Sequence, residues 1–270
     1  MKTLILSGFG TNCERETLHA CKSSGAEEVD IHHINTIYGE DGIDLNQYHF
    51  LVLIGGFMDG DDLGGARACT NRFRYRKTRA GNTFLEQLQS FTAQGRLALG
   101  ICNGFQLLVK LGLLPGRPNP DGLSQEITLS RNANSRYENR WVRLRVDPKS
   151  PSVFTRGLEA IELPIRHGDG QILAASRERA GELVASGLVP LRYADSSGQP
   201  TEQYPDNPNG SINGIASLCN AQGTVMGLMP HPEAFNHFTN HPQWTRFSPK
   251  SEEGDGLILF KNAYRYLRES

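Results

Sequence analysis

Residues 100–106, Gly-Ile-Cys-Asn-Gly-Phe-Gln, constrain the fold of this chain more than any other segment. They lie between an apolar run at 97–99 and a helix-like apolar pattern at 107–111. Glycine two positions before and after Cys102 removes the Cβ atoms that would collide in a sharp turn from strand to helix. The pattern therefore predicts a nucleophile elbow, a turn that lifts Cys102 above the edge of a sheet.

The helix that follows this turn favours an ionised thiol, because its N-terminal N–H groups point at Cys102 and stabilise negative charge. The alternative is a buried structural cysteine that has glycine neighbours by coincidence. With 29 glycines and five cysteines in 270 residues, this spacing arises by chance in roughly 0.06 positions per chain. We therefore interpret Cys102 as a nucleophile, which needs a base and a group that orients the base.

A second segment, Met-Pro-His-Pro-Glu at 229–233, provides the best base in the chain. The flanking prolines keep His231 out of the helical region, and in extended backbone residues two apart point the same way. The Glu233 carboxylate can then reach one imidazole nitrogen while the other faces the thiol. Taken alone, the segment fits a surface loop with an incidental His and Glu better. The other seven histidines, however, have no comparable strand-end setting beside a carboxylate.

Apolar runs and helical patterns alternate along the first half of the chain, which is typical of parallel α/β sheets. Residues 50–54 are apolar throughout, as in a central parallel strand, whereas 141–146 alternate with period two, as in a half-exposed antiparallel strand. A capping-box spacing from Thr11 to Glu14 predicts the start of the first helix. We predict a single domain over 1–270, an open, mostly parallel α/β sheet with helices on both faces and an antiparallel extension. Predicted strands are 4–6, 29–31, 50–54, 97–101, 141–146, 161–167, 188–193 and 215–219, and predicted helices are 11–25, 84–91, 107–111 and 257–267.

The composition is that of an ordinary soluble enzyme. A formal net charge of −1 gives no bulk attraction to nucleic acid or to anionic membranes, so neither is an expected partner. The apolar runs have the length of strands, and residues 3–7 resemble a strand rather than a signal peptide. The five cysteines lack the Cys-x-x-Cys spacing of a zinc cluster and indicate no disulfide framework. We therefore expect a reduced, cytoplasmic protein that binds no metal.

The elbow and the 229–233 segment resemble those of class I glutamine amidotransferases, in which a Cys-His-Glu triad hydrolyses the side-chain amide of glutamine. Further segments between residues 8 and 234 resemble the family of glutaminase subunits of phosphoribosylformylglycinamidine (FGAM) synthase. The most family-specific of them is the proline- and asparagine-rich block at 204–211. Two positions depart from the family pattern, Ala234 where arginine is common and Asp169 where glutamate is more usual. The resembling segments are 10–13, 55–57 with 60–61, 204–205 with 207–211, and 214–216.

The resemblance implies a flavodoxin-like amidotransferase fold and a catalytic triad of Cys102, His231 and Glu233. It implies hydrolysis of glutamine to glutamate and ammonia, and a synthetase partner that uses the ammonia to convert formylglycinamide ribonucleotide (FGAR) to FGAM in purine biosynthesis. ATP and Mg are expected on that partner, since this chain has no Gly-x-x-x-x-Gly-Lys-Ser/Thr loop. No cofactor is expected on this chain. The resemblance is also compatible with a small accessory subunit as a further partner.

The glycine-rich loop after the third predicted strand is expected to line the ligand site, because ligands of open parallel sheets bind beyond the carboxyl ends of strands. Backbone N–H groups of Gly56 or Phe57, with that of Asn103, would form an oxyanion hole in which one donor contributes ~3 kcal/mol. Gly55 and Gln106 are predicted to contact the substrate. The alternatives are a glycine turn without a ligand and, for Gln106, a solvated helix position.

Other functions share parts of these patterns. A glutaminase serving another ATP-dependent synthetase is opposed only by the 204–211 block. A DJ-1-like cysteine hydrolase would not need the 229–233 segment, and a non-catalytic regulatory subunit would have lost a triad residue. Residues 8–10 imitate a dinucleotide-binding fingerprint but lack its third glycine. The arginine-rich segment 67–79, which includes Arg72 and Arg74, is interpreted as a surface that docks the synthetase, in preference to an RNA-binding or merely solvated face.

The elbow predicts that Cys102 is the only cysteine that reacts with a glutamine analogue. A diazo-ketone analogue of glutamine should alkylate Cys102 alone, because only this thiol has a strand-to-helix setting. Peptide mass mapping of the treated protein identifies the modified residue. Labelling of Cys13, Cys21, Cys69 or Cys219, or full glutaminase activity in Cys102→Ala, would contradict the assignment.

Overall fold

The computed structural model describes residues 1–40, 42–116, 126–246 and 251–269, which contain eleven strands and six α-helices. In this part of the chain no helix has the length and apolarity needed to cross a membrane. The strands are β1 (Lys2–Ser7), β2 (Glu28–His33), β3 (Phe50–Leu53), β4 (Leu97–Ile101), β5 (Ile127–Ser130), β6 (Glu138–Val146), β7 (Ala160–His167), β8 (Gln171–Ala174), β9 (Leu191–Ala194), β10 (Ser217–Cys219) and β11 (Val225–Leu228). The helices are α1 (Glu14–Ser23), α2 (Arg67–Tyr75), α3 (Phe84–Ala93), α4 (Asn103–Lys110), α5 (Arg177–Ala185) and α6 (Leu257–Glu269).

Six of the strands form a central sheet in the order β10-β11-β4-β3-β1-β2. All neighbours in this sheet pair in parallel except β10, which runs antiparallel to β11 at one edge. The middle strands β3 and β4 are buried along their whole length, which is the pattern of parallel strands covered on both faces. Helix α1 packs with α6, whereas α2 packs with α3 and α4. The predicted fold class, a mostly parallel sheet flanked by helices, is confirmed.

The predicted antiparallel extension consists of two small sheets, β7-β6-β9 and β5-β8. The second half of β6 alternates between buried and exposed residues, with Val142, Leu144 and Val146 inward. This is the half-exposed strand that the period-two pattern predicts. The extension reaches the central sheet at β7, where the carbonyl of Pro164 accepts a hydrogen bond of 2.8 Å from the N–H of His231.

The turn between β4 and α4 has the geometry of a nucleophile elbow. Cys102 has φ 52° and ψ −106°, a left-handed backbone that a cysteine adopts only under constraint. A Cβ at Gly104 would lie 2.0 Å from the carbonyl oxygen of Leu53, and one at Gly100 would lie 2.6 Å from that of Gly104. Because only glycine fits at these two positions, α4 can lie directly on β3 and the turn can close.

One local expectation is wrong, and one helix was not predicted. Helix α1 does not begin with a capping box, because Cys13 occupies the N-cap in a left-handed conformation without a side-chain cap. The Thr11 hydroxyl instead accepts from the N–H of Gly8 at 2.8 Å and donates to the Glu14 carboxylate at 2.9 Å. The arginine-rich segment contains α2, which was not predicted. Its buried residues are Cys69, Thr70 and Phe73, and the charged residues between them interrupt the apolar pattern of a helix.

The close contact at Gly104 predicts a large loss of stability in Gly104→Ala. Its methyl group must displace the Leu53 carbonyl, so we expect the free energy of unfolding to fall by about 3 kcal/mol. Gly181→Ala is the matched control, because the added Cβ meets no atom within 4 Å in α5. It should stabilise the protein by about 0.5–1 kcal/mol. Urea denaturation of both variants measures the difference, and equal stabilities would contradict the packing argument.

Candidate active site

Cys102 and His231 come together because they follow adjacent parallel strands. Leu228 at the end of β11 pairs with Ile101 at the end of β4, and the N–H of Cys102 donates to the Leu228 carbonyl at 2.8 Å. A Cβ at Gly55 would lie 3.0 Å from the imidazole Cε1 of His231 and 3.3 Å from the Cβ of Cys102. Gly55 therefore lies against both groups, and its small size leaves room between them.

His231 and Glu233 form a buried hydrogen-bonded pair in which Nδ1 and Oε1 are 2.6 Å apart. The contact does not come from strand alternation, since residues Pro232–Ala234 form a short 3-10 turn. This turn brings the carboxylate to Nδ1 of the ring. Nε2 has no hydrogen-bond partner among the described residues, so it is the nitrogen available for proton transfer.

The two charges of this pair stabilise each other. Burial opposes the charged imidazole, but the Glu233 carboxylate and the neighbouring thiols outweigh it and raise the pKa of His231 well above its usual value. Burial also opposes the charged carboxylate, but His231 outweighs it and lowers the pKa of Glu233. The imidazole is thereby held in a fixed orientation and in its protonated form, which stabilises a thiolate beside it and can give a proton to a leaving group.

Two residues beside the pair were not predicted, Cys13 and Arg166. Arg166 Nη2 lies 3.6 Å from Cys13 Sγ and 3.8 Å from Glu233 Oε1. The sulfur of Cys13, a ring nitrogen of His231 and a carboxylate oxygen of Glu233 lie within 4.8 Å of one another. Burial raises the pKa of the Cys13 thiol, which keeps it protonated and a poor nucleophile. Two sequence signals point to Cys13, its place in the resembling segment 10–13 and its position after β1 of the same parallel sheet, whereas Arg166 has none.

A cavity of about 110 Å³ opens in front of the elbow. Gln106 lies in its wall as predicted, with its carboxamide accepting from Asn103 Nδ2 at 2.8 Å and donating to the Asp169 carbonyl at 2.5 Å. Asn103 Nδ2 also donates to both carboxylate oxygens of Asp61 at 3.0 Å. The cavity is lined by Gly56, Phe57, Asp61, Cys102, Gln106, Arg166, His167, Gly168 and Asp169.

The loop that was expected to supply oxyanion donors is only partly suited to that role. The N–H of Phe57 donates to the Gly10 carbonyl at 2.8 Å, so this group is engaged elsewhere. Gly56 has φ +129°, which only glycine adopts readily, and the hydrogen bonds that join this loop to residues 10–12 do not use its N–H. Gly56 and Asn103 are the candidate donors that the structure leaves available.

Arg72 and Arg74, which were expected to face a partner, are half-buried and already have contacts within the chain. Arg72 pairs with Asp59 at 2.9 Å, and Arg74 donates to the Lys110 carbonyl at 2.7 Å. Both guanidinium groups brace α2 against the loop at 58–61 and against α4. The exposed residues of this segment are Arg67, Asn71, Tyr75, Arg76, Lys77 and Arg79.

The fold and this site define a glutamine amidotransferase domain of the class I type. The sequence profile of the CobB/CobQ-like glutamine amidotransferase domain matches residues 1–267.

The relatives narrow the class. The chain is 39% identical over 269 residues to the phosphoribosylformylglycinamidine synthase subunit PurQ of Dehalococcoides mccartyi, an alignment that covers 100% of this chain and 98% of the relative. It is 35% identical over 278 residues to the PurQ subunit of Methanococcus maripaludis strain C7, with 99% and 98% covered. Its structure is similar to that of PurLQS from Thermotoga maritima, with a TM-score of 0.69, 27% identity and 98% of each chain covered. The chain belongs to the PurQ family.

The His231–Glu233 pair predicts a lower pKa for His231 in Glu233→Gln. The amide cannot stabilise the imidazolium, so the ring should lose its proton at a lower pH than in the wild type. An NMR titration of the imidazole C–H signals measures this, with the His231 signal assigned by its loss in His231→Ala.

Glu162→Gln is the control for this titration, because Glu162 lies beside His241 with a separation of 3.5 Å and not beside His231. The pKa of His231 in Glu162→Gln should equal that in the wild type. An unchanged or higher His231 pKa in Glu233→Gln would show that the carboxylate does not hold the charge.

Proposed function

We propose that this chain is the glutaminase of an FGAM synthase and hydrolyses glutamine through Cys102, His231 and Glu233. The observation that carries the proposal is the elbow thiol beside a buried imidazole–carboxylate pair, at the mouth of a small cavity, in a PurQ family member. The family indicates the substrate and the acceptor, and the geometry indicates which residues act.

In the first step the Cys102 thiolate attacks the side-chain amide carbon of glutamine. The N-terminus of α4 lies at the thiol and favours its anionic form. The amide oxygen becomes an oxyanion, for which the N–H groups of Gly56 and Asn103 are the available donors. His231 Nε2 then gives a proton to the leaving nitrogen, and ammonia departs.

In the second step water hydrolyses the γ-glutamyl thioester. His231 accepts a proton from the water, and the water oxygen forms a bond to the thioester carbon. The carbon–sulfur bond then breaks, and Cys102 leaves as the thiolate. Glu233 holds the ring and balances its charge in both steps. The products are glutamate and ammonia, and the enzyme returns to its starting state.

The ammonia must reach its acceptor without entering water, where it would become ammonium and lose its nucleophilicity. We therefore propose a synthetase partner that receives it and converts FGAR to FGAM with ATP and Mg bound on the partner. The solved PurLQS assembly is similar to this chain in one component, which supports a synthetase of the PurL type. A small accessory subunit and a cytoplasmic location belong to the same proposal.

The surface proposed to contact the synthetase consists of the exposed residues of α2 and of the glycine-rich loop that follows β3. Arg67 and Tyr75 are exposed on α2, and Phe57 and Leu63 are exposed on the loop, with 48% and 66% of their surface accessible. Large apolar side chains in water next to a catalytic cavity are typical of a surface that a partner covers. Contact here would act directly on the loop that carries Gly56.

If contact with the synthetase orders the loop that carries Gly56, the isolated chain should be a poor glutaminase and the synthetase should stimulate it. Ordering one oxyanion donor is worth roughly 10²–10³ in rate. The measurement is glutamate release by the chain alone and then with synthetase, FGAR and an ATP analogue. Equal rates in the two conditions would contradict stimulation by the synthetase. No glutamate release from the complete mixture would contradict the proposed function.

The docking surface is tested in the same assay. Arg67→Glu should weaken complex formation and stimulation together, because Arg67 is exposed at the start of α2. Arg145→Glu is the control, since Arg145 is exposed on β6 in the antiparallel extension. Complex formation that Arg67→Glu leaves unchanged would place the interface elsewhere.

A further inference from the structure

Two carboxylates line the cavity in front of Cys102, and the cation that attracts both of them, Lys110, lies outside the lining and acts only through space. Asp61 and Asp169 both line it, and among the described residues neither forms an ion pair. Its one lining cation, Arg166, directs its guanidinium at Cys13 and Glu233. Burial raises the pKa of Asp61, and repulsion from Asp169 adds to the shift. The cavity is therefore suited to a positively charged group.

Asp61 is held at this position by a strained loop. Asp59, Gly60 and Asp61 have φ values of 55°, 76° and 52°, and left-handed backbone costs of order 1–3 kcal/mol at a residue other than glycine. The ion pair of Asp59 with Arg72 holds the start of the loop. The Asp61 carboxylate accepts from the N–H of Ala66 and from Asn103 Nδ2, each at 3.0 Å, which leaves acceptor capacity on its oxygens.

A third lining residue, His167, is an acceptor rather than a cation. It is buried, and burial lowers its pKa to about 3, so the ring is neutral. Nδ1 lies 3.1 Å from Asn132 Oδ1, whose amide nitrogen donates to two carbonyls, so Nδ1 carries the proton. Nε2 is then a bare acceptor without a hydrogen-bond partner among the described residues. His167 thus adds an unpartnered acceptor to the wall of the cavity, independently of its two carboxylates.

We propose that Asp61, together with Asp169, binds the α-ammonium group of the glutamine whose amide Cys102 attacks. An ammonium offers three N–H donors and one positive charge, which is what these acceptors lack. Asn103 follows Cys102 in the chain and touches Asp61, so the carboxylate lies one side chain from the nucleophile. The pocket would select the free amino acid over amides without an amino group. The inference rests on the proposed function and names how that site recognises its substrate.

The test compares glutamine with glutaramate, which has the same amide and carboxylate but no amino group. In the complex with the synthetase, the ratio of kcat/KM for glutamine to that for glutaramate should fall about 10- to 100-fold in Asp61→Asn, mainly through the KM for glutamine. Asp62→Asn is the matched control, because its exposed neighbouring carboxylate does not line the cavity. It should keep the wild-type ratio.

The same assay separates recognition from a structural role. If Asp61 only positions Asn103, Asp61→Asn loses activity equally with both substrates and the ratio stays constant, which overturns the inference. If that variant does not fold, the ratio in Asp169→Asn decides, and an unchanged ratio there overturns it as well. A wild-type complex that hydrolyses glutaramate but not glutamine contradicts the inference and the proposed function together. Wild-type activity on glutamine with unchanged ratios in both variants contradicts only the inference.

Discussion

The parallel pairing of β4 with β11 is the constraint on which the rest of the site depends. It places the thiol of Cys102 and the imidazole of His231 beyond the same ends of two hydrogen-bonded strands, although they are distant in sequence. The pairing is productive only because the chain turns sharply after β4, and that turn exists only where Gly104 can rest on the Leu53 carbonyl. Backbone hydrogen bonds and one close contact thus fix where the two reacting groups lie.

The buried His231–Glu233 pair shows how this frame is used electrostatically. Two buried charges cost free energy unless each has its partner, and removal of one would leave the other uncompensated. Arg166 adds a half-exposed positive charge on the Glu233 side, and the neighbouring thiol of Cys13 remains protonated. Two thiols thus lie near the imidazole, and burial makes the Cys13 thiol the inert one.

Asn103 connects the parts of the site that must act together. Its backbone N–H is a predicted oxyanion donor, and its side chain contacts the N–H of Met58, the Asp61 carboxylate and the Gln106 carboxamide. Hydrogen bonds of one side chain therefore join the nucleophile helix, the glycine-rich loop and the strained turn at Asp61. A partner that presses on the exposed side chains of the loop would act on substrate binding and on the oxyanion donors at once, which is a physical route for coupling the two active centres.

The sequence by itself determined the elbow, the central strands and the residues of the predicted triad. Each of these follows from a local pattern: glycine spacing around Cys102, the unbroken apolar run of β3, and prolines on both sides of His231. Catalytic roles for the three residues stay a prediction, whereas the fold class and the family are established.

Tertiary structure decided what depends on contacts between distant segments. It turned Arg72 inward to Asp59, gave the Phe57 N–H to the Gly10 carbonyl, and placed Cys13 beside His231. It also held the Asp61 carboxylate at the cavity by contacts from two other elements. No local pattern encodes these outcomes, because a side chain's partner is set by which segments the sheet order brings together, and that order is a property of the whole chain.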